Sequence, residues 1–193
     1  MDTVGQHVAK CGKSALVLAN NKLHKAEVSK ILSSLEKHQI TIVGGKIFPN
    51  ASPNTPREDV YRIESYILHF KPDCIVAIGG GSTIDAAKVA NVLATLGLYS
   101  PEIDSYFGAG LVTEALRQTG KKLLPLIAVE MAASSGSHLT KYAVVTDPIA
   151  GQKKLIVDEA IIPEKAVFDY AVTTSAPLNL TIDGAMEGLS HCL

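Results

Sequence analysis

Along this chain, short unbroken apolar runs alternate with stretches whose apolar positions recur every three or four residues. The runs Ala15–Leu18, Ile40–Val43, Cys74–Ile78 and Leu123–Val129 predict buried strands. Between them, Leu23, Val28, Ile31, Leu32 and Leu35 share one helical face, as do Val60, Ile63, Ile67 and Leu68. A third helix is expected over Thr83–Leu96. Gly44-Gly45 ends the second strand, and Lys71-Pro72 stops the second helix. Phe48–Pro56 carries three prolines and two asparagines and reads as a loop, while Gly97–Gly110 reads as irregular. Leu139–Val145 and Lys154–Val157 are expected to pair around a turn at Asp147-Pro148. Ala166–Phe168 is a further short strand, and the chain turns helical from Pro177. The alternation of strand and helix predicts an α/β fold, a Rossmann-like parallel sheet with helices on both faces. Ligands on such sheets bind beyond the carboxyl ends of the strands, which directs attention to the loops after Ile78 and Val129.

Composition narrows the function. The chain has 193 residues, 47% of them hydrophobic and 19% charged, enough apolar material for a full core and too much for disorder. A net charge of −1 supplies no field for nucleic acid or an anionic membrane. No apolar run reaches the roughly 18 residues of a membrane span, and no secretory leader is visible. Cys11, Cys74 and Cys192 are odd in number and far apart, so the chain reads as cytoplasmic and reduced, with Cys74 a small buried residue.

The most informative local feature is Gly79-Gly80-Gly81-Ser82, which joins the Cys74–Ile78 strand directly to the Thr83–Leu96 helix. Glycines let the backbone approach a phosphate closely, and the helix start offers free N–H groups and a positive dipole. Ser82 can add a hydroxyl donor or cap the helix. The turn lacks the spacing of a GxGxxG fingerprint and the Lys-Ser/Thr pair of a Walker loop. The alternative is a tight strand-to-helix turn with no ligand. Asp85 and Lys88 on the helix read as surface groups when taken alone.

The block from Lys71 to Lys88, with Pro72-Asp73, Gly79-Gly80-Gly81-Ser82, Asp85 and Ala87-Lys88, closely resembles the dinucleotide-binding block of the iron-containing (group III) alcohol dehydrogenases. Pro49-Asn50 and Pro53-Asn54 resemble that family's Pro/Asn loop, and Ser135-Gly136-Ser137 with Leu139-Thr140 its GTGSEVT loop. Pro163, Phe168-Asp169 and Met186–His191 match later segments in the same order. The resemblance implies an NAD(P)-dependent oxidoreductase that interconverts an alcohol and an aldehyde or ketone with the help of a divalent metal, iron or zinc. It implies a dinucleotide-binding domain over residues 1–176 and the start of a helical, metal-binding domain over 177–193, without the family's first strand. Gly79, Gly80, Gly81, Ser82, Asp85, Ser135 and Gly136 are the cofactor-binding residues carried over. So is Asn20, which stands where many NAD-using relatives place an Asp against the adenosine ribose. Asn20 carries no charge to repel a 2′-phosphate, so NADP is expected to be tolerated. Lys22 or Lys25 can add attraction, and the competing reading makes Asn20-Asn21 a turn and helix cap.

The resemblance also departs from the family. Its PTTAGTGSE loop reads Glu130-Met131-Ala132-Ala133-Ser134-Ser135-Gly136-Ser137-His138 here. Met131 and Ala132 stand for the threonines near the nicotinamide, and His138 for the Glu. His138 by itself reads as structural or surface. Glu187 and His191, four apart on the expected last helix, match the family's Asp and His metal ligands and project from one face. Without that likeness they read as an exposed helix pair. A protein-bound ion takes about four ligands, and two further histidines would lie beyond Leu193. Asp183 is one turn earlier on the same face. Two other classes stay open: a dehydroquinate-synthase-like lyase of the same fold, and a non-catalytic dinucleotide-binding fragment. The expected partner is a small-molecule alcohol or carbonyl compound, and a homodimer stays open as the assembly.

Overall fold

The computed structural model describes residues 1–20, 22–133 and 135–193. Asn21 and Ser134 lie outside the described residues. Five parallel strands form the spine of the molecule. They are β1 (Ser14–Ala19), β2 (Thr41–Ile42), β4 (Cys74–Gly79), β6 (Leu126–Glu130) and β9 (Lys165–Phe168), in the order β2-β1-β4-β6-β9. β3 (Phe48–Pro49) continues the β2 edge, pairing with the carboxyl end of β1 where β2 pairs with its amino end. Between β2 and β3 the chain makes a tight turn in which Gly44 and Gly45 adopt φ of 67° and 64°. β1, β4 and β6 are buried on both faces, which is why they read as unbroken apolar runs rather than as alternating ones.

The helices divide between the two faces. α1 (Val4–Cys11) and α2 (Lys25–Lys37) cover the face made by Ala15, Val17, Val76, Ile78, Ile127 and Val129. α3 (Arg57–Phe70), α4 (Gly81–Leu96) and α5 (Leu111–Thr119) cover the face made by Leu16, Leu18, Ile75, Ala77 and Ala128. α4 is packed against the sheet, α3, α5 and the second sheet, so it is apolar nearly all round. That second sheet pairs β7 (Tyr142–Asp147) with β8 (Gln152–Val157) in antiparallel register, with β5 (Gly108–Ala109) parallel to β8. α6 (Leu178–Cys192) follows, with no buried residue.

The expected α/β architecture and the hairpin around Asp147 are both present. Several details differ. α2 begins at Lys25, so Leu23 lies outside the helix and is exposed, and Leu68 also faces solvent. Leu123–Val129 narrows to a strand over Leu126–Glu130. α1 and α5 are not legible in the hydrophobic pattern, because helices of eight and nine residues bring only two bulky side chains, or one and an alanine, to the core. The flanking Gly110 and Gly120, both left-handed at φ 74° and 67°, are the sequence marks that α5 does carry.

Candidate dinucleotide site

The main sheet places its chemistry along one edge. β1 and β4 are neighbours, but the chain leaves β1 toward β2 and returns to β4 on the other side, so strand order reverses between them. Crevices at such reversals are where parallel sheets bind ligands. Leu18 pairs with Ala77, and continuing that register sets Asn20 level with Gly79. Gly79 is level with Glu130, and Glu130 with Phe168. The carboxyl ends of four strands thus converge on the glycine turn.

The turn itself runs Gly79, Gly80, Gly81 into α4, with Gly80 at the cap position (φ −89°, ψ −168°). None of the three adopts a positive φ. Their lack of side chains serves close approach instead. A Cβ on Gly79 would meet Thr83 Oγ1 at 2.5 Å, one on Gly80 would meet Ala132 Cβ at 3.1 Å, and one on Gly81 would meet Ser135 Cβ at 3.2 Å. The three glycines are therefore explained partly by packing within the protein. Thr83 N–H and Ile84 N–H both donate to Gly80 O, at 3.0 and 3.2 Å. The amides of Gly81 and Ser82, in the first turn of α4, have no acceptor within the helix. Ser82 lies inside the helix and does not cap it.

The Pro/Asn loop straps this helix start in place. Asn50 Nδ2 donates to Thr83 Oγ1 at 3.1 Å, Asn54 N–H donates to Ser82 Oγ at 3.1 Å, and Thr55 Oγ1 donates to Ser82 O at 3.3 Å. Ser82 Oγ is thus an acceptor already, with its own proton available to donate. Asn20 makes a local turn: its Oδ1 accepts from Lys22 N–H at 2.8 Å and Leu23 N–H at 3.2 Å, leaving Nδ2 as donor. The cap of α2 is His24, not Asn20, and the Asn21 part of that reading lies outside the described residues.

Asp85 and Lys88 are not surface groups. Asp85 accepts from Ser137 Oγ and, at 2.9 Å, from Val144 N–H, and burial pushes its carboxyl above the usual range. Both oxygens are occupied by the protein, so Asp85 ties α4 to β7 and to the loop before it. Lys88, 1% exposed, donates to Thr140 O and Tyr142 O, each at 2.8 Å. Burial lowers its ammonium to about 8, opposed by the neighbouring Asp85 and Glu130 carboxylates.

The loop after β6 faces the glycine turn and is organised by a residue the sequence reading did not single out. Glu130, 4% exposed, accepts from Ala132 N–H at 3.0 Å, Ser135 Oγ at 2.7 Å and His138 Nδ1 at 3.0 Å. Ser135 is therefore tied to Glu130 with its hydroxyl proton spent, and Gly136 takes the left-handed φ of 60° that lets the loop turn back. His138 is half-buried, with its ring 5.5 Å from that of Phe168. The available signal for Glu130 was a carboxylate at the end of an otherwise apolar buried strand.

The proposed metal ligands lie elsewhere. Glu187 and His191 sit four residues apart on exposed α6, and among the described residues no group of three or more His, Cys, Asp or Glu side chains could hold an ion. Two surface pockets around Lys121 and Lys122 are at the amino end of β6, away from the glycine turn. No helix among the described residues is long and apolar enough to cross a membrane.

Comparison with known proteins places this geometry. Residues 1–170 match the family described as iron-containing alcohol dehydrogenase. The chain is 30% identical over 192 residues to the NAD-dependent methanol dehydrogenase of Bacillus methanolicus, covering 98% of the chain and 47% of that protein. It is 27% identical over 182 residues to alcohol dehydrogenase 4 of Saccharomyces cerevisiae, covering 94% of the chain and 44% of that protein. Among solved structures, an iron-containing alcohol dehydrogenase from Thermotoga maritima superposes with a TM-score of 0.79 at 25% identity, covering 97% of this chain and 48% of that one. The chain spans about half the length of these relatives. Extended over the parallel sheet, the glycine turn and the loop facing it, these matches show that the chain belongs to the iron-containing alcohol dehydrogenase family.

Proposed function

We propose that this chain is the dinucleotide-binding part of an NAD(P)-dependent, metal-assisted oxidoreductase acting on a small alcohol or its carbonyl counterpart. The observation that carries the reading is the glycine turn at the strand-order reversal, where the chain enters α4 and the Gly81 and Ser82 amides have no acceptor within the helix. Those amides and the helix dipole suit a pyrophosphate. The Ser82 hydroxyl can donate to a phosphate oxygen, and Asn20 Nδ2 can reach toward the adenosine ribose. Asp85 acts through the loop it holds rather than by touching cofactor. NAD or NADP supplies the hydride acceptor when bound.

For the metal, iron or zinc, the chain's own residues offer two donors, Glu187 and His191. Two donors do not make a site for a divalent ion. They are proposed as this chain's contribution to a shared set. The family match is to the dehydrogenases rather than to the lyases of the same fold.

The test is to titrate NADH against the chain and against Gly80→Val. The backbone at Gly80 tolerates a side chain, but the added bulk would press on Ala132 and close the crevice. Binding is expected to weaken by about tenfold or more with the circular dichroism spectrum unchanged. Equal affinities would move the pyrophosphate away from this turn.

A further inference from the structure

We propose that Glu130 and His138 form a buried clasp that holds the loop after β6 in the shape a dinucleotide meets, with Glu130 as the positioning residue. The proposal rests on the reading of the glycine turn as the dinucleotide site. It starts from two departures of this chain: Glu130 stands where the family's loop begins with Pro, and His138 where that loop ends in Glu. In sequence these look like unrelated losses. In the structure they touch, His138 Nδ1 lying 3.0 Å from Glu130 Oε2. A carboxylate only accepts, so the proton of this bond sits on Nδ1.

The same carboxylate gathers the rest of the loop. Its Oε1 accepts from the Ala132 amide at 3.0 Å and its Oε2 from the Ser135 hydroxyl at 2.7 Å. One buried side chain thus holds the loop near its beginning, in its middle and at its end. Burial makes the arrangement stringent, since a shielded carboxylate that loses its donors is costly. The groups it holds form the wall of the crevice: Ala132 and Ser135 are the atoms nearest the side-chain-free faces of Gly80 and Gly81. Moving that loop changes the width of the space beside the helix start. A loop fixed before binding also spares the complex the ordering cost.

The charged groups around the pair are few. Asp85 and Lys88 of α4 act on Glu130 through space, and Phe168 of β9 packs against the His138 ring. Asp85 accepts from Ser137 and Val144 and Lys88 donates to the Thr140 and Tyr142 carbonyls, so in the structure the hydrogen bonds of both run to other partners than Glu130.

The test uses the 193-residue chain and four variants, Glu130→Ala, Glu130→Gln, His138→Ala and the Glu130→Ala/His138→Ala double variant. Two quantities are measured: amide hydrogen exchange over residues 131–138 without ligand, and affinity for NADH. Exchange at Ala132 should quicken by about tenfold or more in Glu130→Ala, and NADH affinity should fall by about tenfold. His138→Ala should fall less. The double variant should match Glu130→Ala, since the two residues act as one unit. Glu130→Gln keeps the acceptor for Ala132 and should recover part of the affinity. Faster loop exchange with unchanged NADH affinity would reduce the clasp to a structural role and overturn the proposal. Additive losses, or an unchanged loop, would overturn it as well. If the wild-type chain bound no NADH while the loop still answered to Glu130, the dinucleotide reading would fall and the positioning role with it.

Discussion

Asn20 shows how far a single residue's surroundings redirect its chemistry. Its Oδ1 is already engaged by two backbone amides, so only Nδ2 is offered to a ligand. An Asp here would satisfy the same turn while adding a negative charge beside the crevice. Asn20→Asp is therefore expected to keep the fold and NAD binding and to weaken NADP binding selectively, by about tenfold. Parallel titrations of both cofactors check this. An equal effect on both would place Asn20 away from the ribose. The three glycines teach a similar lesson. Their sequence announces a backbone with special freedom, yet all three have ordinary φ, and what they provide is room for Thr83, Ala132 and Ser135.

At the scale of elements, α4 is the member on which the site depends. It touches the sheet, two helices and β7, and its buried polar residues bond to the strands and loops around it. Asn91, 3% exposed, donates to Leu124 O at 2.8 Å and accepts from Leu124 N–H at 3.1 Å, closing the approach to β6 as a neighbouring strand would. Asn91→Leu keeps the branching and heavy-atom count of the side chain and leaves both backbone groups of Leu124 without that partner. It should cost about 2 kcal/mol, measured by urea unfolding. A change of a few tenths would mean that water replaces the amide. The same element shows where sequence patterns mislead: Lys88 and Asp85 look like surface charges on a helix, because local pattern does not reveal that β7 and the loop before it cover that side of α4.

At the scale of the whole molecule, α6 stands apart. It has no buried residue, and Leu178, Leu180, Ile182, Met186 and Leu189 are all exposed. Its contribution to the core of the first 176 residues is correspondingly small. A chain ending at Ala176 is expected to melt within about 2 °C of the full chain, because less than about 1 kcal/mol of stability is at stake. It should also associate less, having lost an exposed apolar stripe. Thermal unfolding and light scattering decide the matter, and a large drop in melting temperature would show that the boundary at residue 176 is misplaced.

The sequence by itself determined the alternation of the main strands and helices, the parallel sheet and the glycine turn. Each is written locally: strands buried on both faces are unbroken apolar runs, helices repeat at their own period, and a strand meeting a helix through glycines is contiguous in the chain. It also supplied the other candidate residues of the site, Glu130 excepted. What only the tertiary structure decided is which of them meet. Glu130 and His138 are joined and Asp85 and Lys88 are enclosed through contacts between elements, while Glu187 and His191 lie on an exposed helix. The physical reason is that hydropathy records whether a side chain prefers to leave water. It does not record which partner, brought from another strand or loop, will satisfy the polar groups that leave with it.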